Sequence, residues 1–431
     1  MGGGQLPGAA VVTQGPTALS LEQAIQTAIR NNSATLLAAE RRREARGQAR
    51  QARAGLLPNV SGVAYQASMT ENLAALGFQP GTFPGFSTFV GPFNNFDARL
   101  SLTQAIFDLS AIRNAQAGRA GVRVAELQEE SAREQVAVAA ALTYLEVLRS
   151  GRAVEAARAD VELAEALLKL AEDQRSAGVA TGVDVVRAQT RLAQQRVQLA
   201  QAQAAADQAL LNLQRVVGLP LGGTLTLTDP LRFAEEPQPS AESAVAAALQ
   251  QRPEVRVAEA QLRVSGLERR ATRAELLPSL DFVADYGVSG ITPTNTALPT
   301  RRVAVQLNVP VFDGGLKKGR IEVAASRERQ AELELGNVRG QVEEDVRLAL
   351  STLRSRAEQV RAAEQSVTLG LRELEMARDR FKAGVGDNIE VVTAQAALSD
   401  ARSAQVTALA QHNAARLNLA AALGRAQSFR W

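Results

Sequence analysis

Hydrophobic positions recur along this chain at two periods, and the period switches at matching landmarks in its two halves. Over Leu21–Arg30 the apolar Ala24, Ile25, Ala28 and Ile29 share one helical face, with Ser20 and Gln23 spaced as a capping box. A second helical run from Ser33 to Leu57 stops at Pro58, which ends a helix and is tolerated at the first position of a strand. Beyond it the period becomes two. Ala98, Leu100, Leu102 and Ile106 alternate with Arg99, Ser101, Thr103 and Ala105, and Val303, Val305, Leu307, Val309 and Val311 alternate with Arg302, Ala304, Gln306, Asn308 and Pro310. Leu280, Phe282, Ala284 and Tyr286 stand against Ser279, Asp281 and Asp285, and Val60–Ala67 is a poorer strand. The pattern predicts strands over 58–68, 97–107, 279–289 and 301–311. Each pair is joined by a loop, a long one over 70–96 that holds Pro80, Pro84, Pro92 and six phenylalanines, and a short one over 291–300.

Helical periodicity then returns. Asp108 and Asp313 stand as N-caps of helices over 109–176 and 314–382, neither containing a proline. At ~1.5 Å per residue such helices reach roughly 100 Å, deeper than any globular domain. Both carry a heptad: Val154, Val161 and Leu168 with Ala157, Ala164 and Ala171, then Val360, Val367 and Leu374 with Ala363, Gly370 and Ala377. Large residues facing Ala or Gly allow the close approach of a coiled coil. A glycine turn ends each long helix, and return helices over 183–217 and 389–423 follow. Residues 219–239, with four prolines and the alternating run Thr224–Thr228, form the one candidate linker.

The halves are copies. Ala54-Gly55-Leu56-Leu57-Pro58 returns as Ala274-Glu275-Leu276-Leu277-Pro278, Phe107-Asp108 as Phe312-Asp313, and Gly178 to Gln189 as Gly384 to Gln395. The organisation reads as a disordered segment 1–16, a first repeat 17–218, the linker, a second repeat 240–424 and a short tail 425–431. The Gly-rich start lacks a basic region and an apolar core, so either a secretory signal has been removed or the chain is not exported.

Composition narrows the chemistry. No apolar stretch reaches the ~18 residues of a membrane-spanning helix, which leaves a β-barrel open. Net charge is +3, with basic and acidic residues interleaved along helical stretches, so nucleic acid is not an expected partner. With no cysteine, a single histidine (His412, expected solvated or partly packed) and no paired nucleophile and base, the chain offers no catalytic residues, no metal site and no cofactor site. Strands with one apolar and one polar face cannot close within one chain, and shared among identical chains they suit a membrane barrel. The competing reading is a soluble coiled-coil scaffold whose alternating runs are loops.

Three duplicated features resemble the TolC family of outer-membrane efflux proteins: Leu-Leu-Pro before a strand, Phe-Asp after the next (Phe312-Asp313-Gly314-Gly315 in the second copy), and Gly-x-x-x-x-x-Asp/Glu-Val-Val-x-Ala-Gln at the helical turn. The resemblance covers nearly all of 20–424. It implies a mainly α fold with a small β part, long antiparallel coiled-coil hairpins, and four strands contributing to a trimeric 12-stranded barrel. It implies a passive exit duct in the outer membrane of a Gram-negative-type bacterium, with a periplasmic helical tunnel, serving efflux or type I secretion. The implied partners are two further copies, a periplasmic adaptor, an inner-membrane pump of the RND, ABC or MFS type, and outer-membrane lipid. Adaptor-docking turns map to Gly178, Val179 and Thr181 and to Gly384, Val385 and Asp387; these residues otherwise simply make a hairpin turn. Asp184 and Glu390 map to a periplasmic gate, and their alternative is a purely electrostatic role at helix N-termini. A second acidic gate position of the family is Thr393 here. Channel-lining barrel positions are Arg99, Ser101, Thr103, Asp281, Asp285, Gln306 and Asn308, with interface snorkelling the alternative for Arg99 and Arg302.

Overall fold

The computed structural model describes residues 17–77, 87–234, 237–383 and 385–430. The segment 1–16, Phe78, Phe83 and Phe86 of the phenylalanine-rich loop, and Gly384 lie outside them. In chain order the elements are β1 (Thr17–Leu19), α1 (Leu21–Asn31), α2 (Ser33–Ala54), β2 (Asn59–Asn72), β3 (Phe89–Phe107), α3 (Leu109–Ser176), α4 (Gly182–Val217), β4 (Leu225–Leu227), α5 (Ala241–Gln251), α6 (Pro253–Ala274), β5 (Ser279–Gly290), β6 (Leu298–Asn308), α7 (Leu316–Lys382) and α8 (Asn388–Ala422). The order helix, helix, strand, strand, long helix, return helix occurs twice, as an internally duplicated, mainly helical chain requires.

Two compact units form, and neither is a sequence repeat: one takes the stretch up to Arg41, Glu126–Val257 and Gly336 onward, the other Arg42–Ala125 and Ala258–Leu335. Each copy contributes to both because its long helix and its helix before the strands cross the unit boundary.

The second unit holds an antiparallel sheet in the order β2-β3-β5-β6, so the two hairpins meet where β3 of the first copy pairs with β5 of the second. The long expected loop 70–96 is corrected here: Phe89–Phe96 is strand, paired with Gln66–Asn72. Pro92, which cannot donate to a ladder, sits beside the register shift between Met69 and Glu71, where an irregular pairing tolerates it. The last strand is displaced from the expected 301–311 to 298–308. Asn308 pairs with Ser279, the first residue of β5, so Val309–Val311 run past the end of β5, and Pro310 adds no donor.

The first unit packs around Tyr144, which is fully buried with Leu21, Ile25, Leu213, Val217 and Leu417. Its hydroxyl lies 2.6 Å from Asp229 Oδ2 and 3.0 Å from the Leu19 carbonyl, and the Leu21 N–H donates to the same carboxylate oxygen at 2.8 Å. Burial, then the Asp229 carboxylate, pushes the Tyr144 hydroxyl far above the ordinary tyrosine range. This network anchors β1, at the start of the first repeat, against β4, which falls in the linker on the alternating run Thr224–Thr228. The tail is tied down as well: Ala426 N–H and Gln427 Nε2 donate to Glu134 at 2.9 and 2.8 Å.

The α7 seam buries Val360, Ala363, Gly370, Leu374 and Ala377, with Val367 half-buried. On α3 the seam is Ala164, Leu167 and Ala171; Val154, Val161 and Leu168 are half-buried, one position off the packed stripe. Ala171 shares a buried cluster with Val185 and Ala188 of α4, and Leu167 belongs to another with Leu374, Phe381, Val391 and Leu398 of α7 and α8. His412, expected solvated or partly packed, is fully buried instead: it is 2% exposed and lies against Phe233, with ring centroids 4.8 Å apart.

Candidate functional site

Two groups of residues stand out, the helical turns of the first unit and one face of the sheet of the second. At the first turn α3 ends in a C-cap in which Gly178 adopts φ +78° and its N–H donates to the Arg175 carbonyl at 3.0 Å, while the Val179 N–H donates to Gln174 at 2.9 Å. That left-handed position is the reason for a glycine there. Val179 is left 54% exposed. Thr181 then caps α4. Its N–H and hydroxyl both donate to Asp184 Oδ2, at 2.8 and 2.6 Å, and Arg187 Nη1 approaches Asp184 Oδ1 at 3.4 Å. The Thr181 hydroxyl above all, then its N–H and the Arg187 charge, hold the Asp184 carboxyl below the usual range against its burial.

At the second turn the Val385 and Gly386 N–H groups both donate to the Arg380 carbonyl at 3.1 Å, and Val385 is 70% exposed. Asp387 caps α8, accepting from the Ile389 N–H at 3.1 Å. Glu390 pairs with Arg380 at 3.1 Å, both side chains about half in solvent. Asn388 joins the turns: buried, it donates from Nδ2 to the Asp184 carbonyl at 3.0 Å. Asp184 is thus committed to its cap and its neighbours, whereas Glu390 is held by a solvated ion pair.

In an antiparallel ladder directly opposed residues share a face. The register therefore puts Val60, Leu100, Tyr286, Val303, Val305 and Leu307 on one side of the sheet, each between 60% and 69% exposed. An apolar face this bare needs a nonaqueous neighbour. The opposite face carries Ser101, Thr103, Arg99, Asp281, Asp285, Gln306 and Asn308, together with Asp97 and Arg302. Asn308 Nδ2 donates to Asp281 Oδ2 at 2.8 Å and Gln306 Nε2 to Asn308 Oδ1 at 2.8 Å. Arg99 pairs with Asp97, Nε to Oδ1 being 2.6 Å, and reaches Asp285 at 3.4 Å; Arg302 Nε reaches the other Asp285 oxygen at 2.8 Å. Both arginines are therefore ion-paired on the polar face.

Sequence reasoning missed Asn388, Arg380, Arg187 and Asp97. Each acts through a partner supplied by folding. Asp97 alone left a trace, two residues before Arg99 and so on the same face of a period-two strand. Among the described residues no group of three or more His, Cys, Asp or Glu side chains could hold a metal, and no helix is long and apolar enough to cross a membrane.

The outer membrane efflux protein family model matches residues 24–219 and 244–425, both copies of the repeat. The alkaline protease secretion protein AprF of Pseudomonas aeruginosa is 28% identical over 72% of this chain, and the pyoverdine export outer membrane protein OpmQ of Pseudomonas putida is 27% identical over 94% of it and 85% of that protein. The chain spans 65% of the length of AprF and 60% each of the lengths of OpmQ of Pseudomonas aeruginosa and CyaE of Bordetella pertussis. In fold it is similar to the outer-membrane channel OprN, with a TM-score of 0.82, 21% identity and coverage of 94% of this chain and 90% of that one. It is likewise similar to the Campylobacter jejuni CmeC outer membrane channel, with a TM-score of 0.80, 19% identity and coverage of 95% and 87%. The likeness extends over helices and sheet together, and the family match over both copies sets the soluble scaffold aside: the chain belongs to the outer membrane efflux protein family.

Proposed function

We propose that this protein is the outer-membrane exit duct of an efflux or type I secretion assembly. It performs no chemistry and hydrolyses nothing. The observation that carries the reading is the sheet: four strands with one bare apolar face, one charged and hydrogen-bonded face, and outer edges on β2 and β6 that no other described strand pairs. Lipid meets the first face, water the second, and two further copies satisfy the edges, giving twelve strands from three chains. The coiled-coil hairpins supply the periplasmic tunnel.

The turns at Gly178, Val179 and Thr181 and at Gly384, Val385 and Asp387 receive a periplasmic adaptor that couples the duct to an inner-membrane pump. Support comes from Val179 and Val385, apolar side chains that are more than half exposed. The gate lies beside them, with Glu390 as its exposed acid and Asp184 as the carboxylate that holds the first turn in shape. Threefold repetition makes these acids rings that favour cations locally. Purified protein in voltage-clamped planar bilayers tests the reading. Stepwise ohmic currents are expected, and a flat baseline from protein shown to be inserted refutes it.

A further inference from the structure

Of the five charged side chains that β3, β5 and β6 place on the polar face of the sheet, four are not scattered; the fifth, Asp281, accepts from Asn308 Nδ2 at 2.8 Å. Arg302, Asp285, Arg99 and Asp97 form a chain of alternating sign running from β6 across β5 to β3, every neighbouring pair in contact. The arrangement is layered: the carboxylate side chains of Asp285 and Asp97 are 7% and 8% exposed, whereas Arg302 and Arg99 are 69% and 36% exposed. The acids lie beneath and the guanidiniums face outward. Gly287, directly opposite Arg99, makes this packing possible, because a Cβ there would come within 2.5 Å of Arg99 Cβ and 2.4 Å of the Ala98 carbonyl oxygen. These four charges sum to zero and Asp281 adds one negative charge to the face, but within the chain itself it is the guanidiniums that a passing solute meets. Arginine suits the role, since its fork binds a carboxylate on one edge and leaves donors on the other for an anionic group.

We infer that this layered chain is the selectivity element of the barrel, a belt of guanidiniums that passes anionic solutes and screens the carboxylates beneath from cations. The inference rests on the duct reading above, with the polar face toward the lumen. Replacing Arg302 removes the most exposed charge and uncovers Asp285, two changes of the same sign. A unit charge about 8 Å from a passing ion in a water-like dielectric changes its occupancy about twofold, so Arg302→Gln should raise the potassium-to-chloride permeability ratio about two- to fourfold. Arg302→Lys should restore most of the native ratio. Arg301, its chain neighbour, pairs with Tyr286 on the apolar face, so Arg301→Gln should leave the ratio unchanged.

Reversal potentials under a potassium chloride gradient in planar bilayers read these ratios. A rise confined to Arg302→Gln, reversed by lysine, supports the inference. Conducting channels in which Arg302→Gln keeps the native ratio, or in which Arg301→Gln shifts it equally, overturn the inference alone. A native chain that opens no conductance overturns the duct reading, and the inference with it.

Discussion

The bond between the two turns gives the most quantitative handle on gating. Asn388 is 5% exposed, and its Nδ2 donates to the Asp184 carbonyl at 3.0 Å, joining the first residue of α8 to the first turn of α4. Truncation to alanine leaves a buried carbonyl without its donor, at a cost of about 1–3 kcal/mol. If opening the tip breaks this contact, only the closed state bears the loss. A value of about 1.4 kcal/mol then shifts the balance toward open about tenfold. The neighbouring Arg380–Glu390 pair is the natural control, because both side chains stand about half in solvent. Such a pair contributes less than about 1 kcal/mol, so Arg380→Gln should raise opening about fivefold at most. Open probability from single-channel records, compared between native, Asn388→Ala and Arg380→Gln proteins, measures both. An Asn388→Ala record indistinguishable from native would refute the coupling, as would a larger effect from Arg380→Gln.

Three further outcomes follow. Gly178→Ala forces a side chain into a φ of +78°, at about 1–2 kcal/mol; export in cells should fall while detergent-purified particles keep their native mass, and unchanged export would remove the turn from adaptor docking. Asp184 has a carboxyl held below its ordinary value of 3.8 by the Thr181 hydroxyl first, so its stabilisation of the turn is fully present above that pH and lost as pH falls through the lowered value. Amide exchange over 182–190 should therefore show no loss of protection between pH 7 and 5 beyond the intrinsic rate, and a loss within that interval would contradict the cap geometry. Tyr144→Phe deletes the hydroxyl shared by Asp229 and Leu19, and at about 2 kcal/mol for a hydrogen bond to a charged group should speed exchange of the 225–227 amides about 30-fold.

Much of the architecture was readable from the chain because local signals agreed with one another. Asp108 and an uninterrupted helical pattern announce α3, and period two with Leu-Leu-Pro announces the strands. What escaped depends on partners distant in sequence. Phe89–Phe96 looks like loop because Gly91, Pro92 and two asparagines interrupt it, and only pairing with β2 makes it strand. β4 was legible as the alternating run Thr224–Thr228, but β1 is too short to show a period, and Tyr144 and Asp229 join its neighbours. His412 was misread because Phe233, on the linker, covers it. The candidate residues of the polar face were legible from alternation, but the ion-pair chain was not: Arg99 and Asp285 are 186 positions apart and meet only through the register of β3 against β5. The turn acids were legible as acids, while Asp184's commitment to Thr181 and Asn388 needed the folded turns.

The central claim is that the free edges of this sheet close against copies of the same chain. The sequence contains no cysteine, so introduced pairs report without background. One cysteine at Ser61 of β2, combined in turn with Ala304, Gln306 or Asn308 of β6, brings polar-face positions of the two edges into reach if β6 of one copy pairs with β2 of the next. Mild oxidation of outer-membrane fractions followed by denaturing electrophoresis should give, for at least one pair, a ladder ending at three linked chains of 45.7 kDa. Membrane-inserted protein that stays single for all three pairs would contradict the shared barrel.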